Sequence, residues 1–405
     1  MLVNGGQRIP EIRKNLERYV EGIEKGLQKR LSERVREALL TVERHRFLEG
    51  FYRWEGPKLF TWVEVDHEAP DEAILKEIYS ASPKGLPIKL SPEGYPTSST
   101  TSPPLMAQML ELLELDRGMK VLEIGTGTGY NAALMAVIVG NQSLITTLEI
   151  QPDLVERTKR LLYKAGYGDI KVFCADGFAG WPENAPYDRI VATTCCADIS
   201  PHWLKQLTDN GWALVPLYHG GETWAPLVRI ASDGRGKVLC AAGFAHAQGG
   251  LSGHEIWSKG PKPTSLTCEP RQKLLRLSDR YEFVSFVTNF HFFIALNDLN
   301  ACFPWLSPFD QAMLLWDDGS CKGAGLIFES DGWVSLVGSE PFQTRLMELY
   351  ETYEEMGRPD IERYQVEFLV RSTALEKGNT PRIERVGLRE WLIKRRYTVQ
   401  RVWLP

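Results

Sequence analysis

The sequence predicts a doubly wound α/β domain, and three observations predict it. Between residues 119 and 246, short apolar runs alternate with amphipathic stretches of helical period. The runs are apolar throughout rather than every second residue, as strands buried on both faces are. A glycine-rich turn, GTGTG, joins the first run to the first helical stretch, as in sheets that bind a ligand at their strand ends.

Taken in order, MKVLEIG reads as the first strand and GYNAALMAVIVG as the helix after it. SLITTLEI is the second strand, and DLVERTKRLLYKAG is a helix that its glycine ends. IKVFCAD and YDRIVATT follow as strands three and four, HWLKQL as a helix and WALVPLY as strand five.

The flanks read differently. Within the charged stretch 11–48, Leu31, Val35, Leu39 and Val42 recur at steps of four, four and three, one apolar helix face. GYPTSSTTSPP (94–104) places hydroxyls between glycine and prolines and reads as a loop. LMAQMLELLEL (105–115) is a short helix running into the first strand. Past about 250 come an aromatic-rich segment, 281–295, short strands in SCKGAGLIFES and GWVSLVG, and a helix carrying Leu346, Leu349, Tyr350, Tyr353 and Met356 on one face. Gly357 and Pro359 stop that helix, and YQVEFLV is a further strand. The expected domains are an N-terminal helical segment, 1–90, the α/β domain, 91–250, and a C-terminal α+β domain, 251–405.

Composition narrows the class. With 47 Lys+Arg against 52 Asp+Glu, the net charge of −5 gives no global attraction to nucleic acid. Residues 361–405 hold 10 basic and 5 acidic residues, a basic tail that suits either solvent or an acidic peptide. No apolar run is long enough to span a membrane, and the N-terminus lacks a signal-peptide core. Seven cysteines without a CxxC pair suggest neither a disulfide framework nor a metal site, so a cytoplasmic protein with reduced thiols is expected.

The sharpest motif is VLEIGTGTGYNAA (121–133). Gly125, Gly127 and Gly129, with Thr126 among them, allow a tight turn and close backbone approach to a ligand. The spacing differs from the dinucleotide GxGxxG, and the acid Glu123 beside the loop disfavours a pyrophosphate. It suits a ligand with a sulfonium, an amino group and a ribose, namely S-adenosylmethionine. Glu149 ends the second strand, where an acid holds ribose hydroxyls. Asp176 and Gly177 follow the third, where an adenine amino group can be accepted. No Asn/Asp-Pro-Pro-Tyr motif follows strand four, where Thr193 and Thr194 stand, so amino-directed nucleic-acid methylation is disfavoured.

The order ERVREALLTVERHRFLEGFY, TTSPPLMAQMLELL, VLEIGTGTGYNAALMA, DGFAGWPENAPYDRIVAT resembles the protein-L-isoaspartate (D-aspartate) O-methyltransferase family over roughly residues 30–250. The resemblance implies a Rossmann-like class I methyltransferase domain using S-adenosylmethionine. It carries the cofactor roles onto Gly125, Gly127, Glu149 and Asp176. It also implies that Thr101, aligned through Pro103 and Ala107, contacts the acceptor carboxylate, with Ser99, Thr100, Thr193 and Thr194 nearby. Thr101 as a cap for the following helix is the structural alternative. Two departures, Ser102-Pro103-Pro104 in a hydroxyl run and about 155 further residues, look like the branch that matures ribosomal peptides (lasso, graspetide, lanthipeptide). The acceptor is then an Asp side chain in a precursor, and its ester closes to an aspartimide (succinimide). General isoaspartate repair is the alternative, followed by a binding module without turnover and a small-molecule methyltransferase. His202, His219, Cys195-Cys196 and the aromatic segment read first as structural.

Overall fold

The computed structural model describes residues 5–56, 59–67, 69–82, 84–219, 225–253, 272–302, 305–306, 310–317, 319–375 and 382–405. The chain divides into two compact units: Met1–Thr193 with Gln206–Leu214 and Gln248–Gly250, and Thr194–Lys205 with Val215–Ala247 and Leu251–Pro405. The boundaries expected at 90 and 250 are therefore not where contacts thin out. Pieces of the α/β region, 194–205 and 215–247, group with the C-terminal residues.

The first unit opens with α1 (Gly5–Leu27) and α2 (Glu33–Thr41), the latter capped by the Ser32 hydroxyl, which accepts from the Val35 N–H. All four residues of the expected stripe, Leu31, Val35, Leu39 and Val42, are buried. The region up to 90 is not wholly helical. Aromatic and β-branched residues in GFYRWEG and LFTWVE favour extended backbone, and β1 (Gly50–Gly56) pairs antiparallel with β2 (Leu59–Glu64). After α3 (Glu72–Ile78), β3 (Pro87–Leu90) pairs antiparallel with β4 (Pro96–Ser99). Four residues of the expected hydroxyl-rich loop are thus a strand. Next, α4 (Pro103–Leu112) begins two residues earlier than expected because prolines fit the first helical positions.

The parallel sheet follows as read. Its strands are β5 (Val121–Ile124), β6 (Ile145–Glu149), β7 (Lys171–Cys174) and β8 (Tyr187–Ala192), with α5 (Tyr130–Val139) and α6 (Pro152–Lys164) as crossovers. Every residue of β5 and β6 is buried, which explains their continuous apolar pattern. The short α7 (Pro201–Gln206) leads to β9 (Leu207–Pro216), which runs parallel to β8. In this unit the spatial order is β7-β6-β5-β8-β9. Strand order reverses beside β5, so the loop after β5 lies where sheets of this kind bind ligands.

In the second unit, β10 (Ala225–Ala231) and β11 (Arg235–Ala242) form a hairpin. A separate five-stranded antiparallel sheet has the order β12-β16-β15-β14-β13, made from β12 (Gln272–Arg276), β13 (Trp305–Leu306), β14 (Gln311–Asp317), β15 (Lys322–Phe328) and β16 (Trp333–Gly338). Two helices, α8 (Arg280–Ala295) and α9 (Phe342–Glu355), belong to the same unit, and α9 packs on β14, β15 and β16. The aromatic segment is core. Phe283, Phe286, Phe290 and Phe293 of α8 are buried, and Phe290 and Phe293 lie 5.0 and 5.3 Å from the ring of Tyr353. The chain closes with β17 (Gln365–Val370), which pairs with β11, then β18 (Arg382–Gly387), β19 (Glu390–Lys394) and β20 (Thr398–Trp403), ordered β18-β19-β20-β17.

Candidate active site

The glycine loop is built by backbone that only glycine adopts comfortably. Gly125 has φ +99° and Gly129 φ +80°, and a Cβ at either would stand 2.8 Å from Thr193 Oγ1 or Thr158 Cγ2. Gly125 donates its N–H to Leu148 O at 2.8 Å, and Thr158 Oγ1 donates to Gly127 O at 2.7 Å. The loop is therefore fastened from β6 and α6 at once.

The two acids read as cofactor ligands occupy different depths. Glu149 ends β6 and is 7% exposed; its Oε2 accepts the Gly127 N–H and its Oε1 the Gln151 N–H, both at 3.1 Å. Each oxygen keeps a lone pair for a ligand hydroxyl. Burial raises its pKa while those backbone donors oppose the rise. Glu123 is fully buried. Its carboxylate accepts from Asn131 Nδ2 and from Thr147 Oγ1, both at 2.7 Å, and Thr147 Oγ1 also bonds Thr126 Oγ1 at 2.8 Å. Burial pushes Glu123 up to about 7. Glu123 thus supports the loop from beneath, and Thr126, expected to meet the cofactor, has its hydroxyl in this chain. Asn131 and Thr147 carry no motif of their own, and sequence reasoning missed them.

Asp176 accepts the Phe178 N–H at 2.9 Å and the Gly250 N–H at 2.7 Å. One bond caps the short turn after β7 and the other ties in a residue 74 positions away. Gly177 is buried, and a side chain there would strike Ile124.

The hydroxyl run crosses the glycine loop. A Cβ built on Gly127 would meet Ser98 Oγ and Ser99 O, each at 3.8 Å. Thr100 turns inward, 4% exposed, and its hydroxyl accepts from Arg44 Nη2 at 2.6 Å and the Leu86 N–H at 2.9 Å. Its oxygen, accepting from both, ties the loop to Arg44 and Leu86. Thr101 and Ser102 differ from it: among the described residues, neither hydroxyl makes a hydrogen bond. Ser102, not Thr101, occupies the N-cap of α4, and it makes no side-chain cap bond. Thr101 therefore does not cap the helix.

The remaining candidates resolve individually. Thr193 Oγ1 donates to Gly125 O at 2.6 Å, so it braces the glycine loop instead of facing an acceptor. Thr194 Oγ1 donates to Ala245 O at 2.9 Å. Cys195 and Cys196 are buried, and burial pushes the Cys195 thiol up to about 12, so both behave as small hydrophobes. His202 is exposed on α7. His219 is buried, its Nδ1 is 3.0 Å from Leu217 O, and burial beside Arg395 holds it neutral.

Among the described residues no group of three or more His, Cys, Asp or Glu side chains is placed to hold a metal, and no helix is long and apolar enough to cross a membrane. The combination of a reversed parallel sheet, a glycine loop and an acid at the end of the second strand defines a class I methyltransferase fold. The family model "Protein-L-isoaspartate(D-aspartate) O-methyltransferase (PCMT)" matches residues 67–242. The chain is 34% identical over 245 residues to the protein-L-isoaspartate O-methyltransferase of Thermococcus sibiricus, covering 59% of this chain and 94% of that one. It is 33% identical over 222 residues to "Protein-L-isoaspartate O-methyltransferase 2" of Archaeoglobus fulgidus, covering 55% and 85%. The chain belongs to the protein-L-isoaspartate (D-aspartate) O-methyltransferase family, an enzyme family, and its cofactor is S-adenosylmethionine.

A solved structure titled protein-L-isoaspartate O-methyltransferase shares the fold, with TM-score 0.50, 23% identity and coverage of 87% of this chain and 95% of that chain. That alignment extends into the C-terminal region. The two curated relatives nonetheless cover only 59% and 55% of this chain, in keeping with the expected C-terminal extension.

Proposed function

We propose that this enzyme methylates the free α-carboxylate of isoaspartyl residues in proteins or peptides, the ester then cyclising to succinimide. The observation that carries the reading is the closeness of the hydroxyl run to the glycine loop: Ser98 Oγ and Ser99 O lie 3.8 Å from where a Cβ on Gly127 would stand, and further along the run Thr101 and Ser102 make no side-chain hydrogen bond among the described residues. The relatives' printed name, protein-L-isoaspartate O-methyltransferase, supports isoaspartate as the acceptor.

The cofactor fits the residues present. At Gly127 no atom lies closer than 3.8 Å to where a Cβ would stand, so a ligand can approach the backbone there, Glu149 keeps acceptor capacity for two hydroxyls, and S-adenosylmethionine, when bound, supplies an electrophilic methyl group. The chain needs no strong base, because a carboxylate with a reference pKa of about 4 is already ionised at neutral pH. Its task is alignment in a drier site, worth up to about 7–11 kcal/mol from proximity alone. Thr101 or Ser102 donates a hydrogen bond that orients the acceptor. Once the ester has formed, the following backbone nitrogen attacks it, methanol leaves and a succinimide closes.

A second reading, methylation of a normal Asp in a ribosomal precursor peptide, is favoured by the Ser102-Pro103-Pro104 departure. Intact-mass analysis with S-adenosylmethionine and matched isoaspartyl and aspartyl peptides tests both. A 14 Da gain on the isoaspartyl peptide alone is expected, methylation of the aspartyl peptide alone supports the second reading, and refusal of both overturns the proposal.

A further inference from the structure

Arg44 is 1% exposed and lies in a single 3-10 turn, Arg44–Phe47, after α2. Its Nη1 donates to the Tyr19 hydroxyl at 2.6 Å, and its Nη2 to Thr100 Oγ1 at 2.6 Å and to Thr101 O at 3.2 Å. The rings of Tyr19 and Tyr130 lie 5.5 and 5.8 Å from the guanidinium carbon, and Nε has no hydrogen-bond partner.

No carboxylate among the described residues is within ion-pair distance of this buried cation. Glu43, its neighbour in sequence, pairs instead with Arg46 at 3.8 Å and approaches His45. The other titratable groups packed around it are neutral near pH 7. Burial raises Tyr19 from α1, Tyr79 after α3 and Tyr130 from α5, and lowers His45 to about 4. An unpaired buried charge costs several kcal/mol, and a site that tolerates this cost gains something when an anion arrives.

We propose that Arg44 is a positioning residue for the acceptor: its guanidinium fixes the Thr100–Thr101 backbone from behind, and its uncompensated charge favours an ionised carboxylate in front of that segment. The proposal rests on the carboxylate-methylating reading above. A flat fork is needed to bond Tyr19, Thr100 and Thr101 together, which lysine cannot supply.

Two variants separate the charge from the fork. Arg44→Gln removes the charge, and Arg44→Lys keeps it. With an isoaspartyl peptide, Arg44→Gln is expected to raise KM about tenfold or more and to move the acidic limb of the kcat–pH profile up by about one unit. Arg44→Lys is expected to raise KM while leaving that limb in place. S-adenosylmethionine affinity by calorimetry stays within about twofold in both, which excludes general unfolding. A folded Arg44→Gln enzyme with wild-type KM and an unmoved acidic limb overturns the proposal. If the wild type leaves every peptide unmodified, the functional reading fails, and hydrogen exchange then decides the positioning role. Amides of residues 97–102 should exchange about tenfold faster in Arg44→Gln, and unchanged exchange overturns it.

Discussion

The Gly127 N–H donates to the Glu149 carboxylate at 3.1 Å, so the acid that ends β6 is tied to the glycine loop that follows β5. One residue thus shapes the loop and presents an acceptor to whatever lies on it.

That dual role predicts a graded outcome. Glu149→Ala should weaken S-adenosylmethionine binding about 30-fold or more, because hydrogen bonds to a charged group contribute roughly 1.5–3 kcal/mol each. Isothermal calorimetry checks this, and unchanged affinity removes the ribose role from Glu149.

The Thr101 and Ser102 hydroxyls, without a hydrogen bond among the described residues, make a second test. If Thr101 orients the acceptor, Thr101→Ala lowers kcat/KM about tenfold or more and leaves cofactor affinity unchanged. If Ser102 does so, the loss falls on Ser102→Ala instead. Peptide-methylation kinetics on both variants assigns the role, and full activity in both removes the segment from the mechanism.

Glu123 predicts a pH dependence of stability. Its folded-state pKa, about 7, lies above the ordinary 4.5 because of burial. A raised pKa stabilises the fold below the unfolded value, and that contribution is lost as pH rises through the folded one. Between about pH 4.5 and 7, stability of the cofactor-free protein should fall, by up to about 3 kcal/mol from this group. Glu123→Gln accepts from Asn131 and donates to Thr147, so it should flatten that slope in urea titrations at pH 5 and 8. An equal slope in both proteins would falsify the assignment.

In the second unit, Arg395 is buried and donates to Ala197 O at 2.7 Å, Tyr218 O at 3.0 Å and Gln400 Oε1 at 2.8 Å. Asp198 accepts from Tyr397 and Thr398 N–H groups and from Thr398 Oγ1. The turn between β19 and β20 is thereby fastened to the segment 197–198. Arg395→Met or Asp198→Ala should each lower stability by about 3 kcal/mol, since each leaves buried polar groups unpaired. Chemical denaturation measures the loss, and a change below about 0.5 kcal/mol would contradict it.

The parallel sheet was legible because its signals are local. A continuous apolar run is what a strand covered on both faces requires, and β5 and β6 are buried along their whole length. The glycines were legible for the same reason, since their positive φ values at Gly125 and Gly129 exclude most other residues. The hairpin β1–β2 was missed: its aromatics, Trp54 and Trp62, are exposed, so its pattern is not that of a buried strand. Segments 194–205 and 215–247 group with the C-terminal residues, through pairings such as β11 with β17 and Arg395 with Ala197 that no local pattern shows.

The sequence by itself determined the α/β class, the glycine loop, the acids at the strand ends and the family. Each rests on residue type at short spacing, which periodicity and backbone sterics can read. Only the tertiary structure decided which hydroxyls of a five-residue run are already engaged. The Thr100 oxygen accepts from Arg44, 56 positions away, whereas among the described residues the Thr101 and Ser102 hydroxyls make no hydrogen bond. Hydrogen-bond satisfaction is a property of groups that folding brings together, and neighbouring hydroxyls of similar chemistry cannot be told apart before it does.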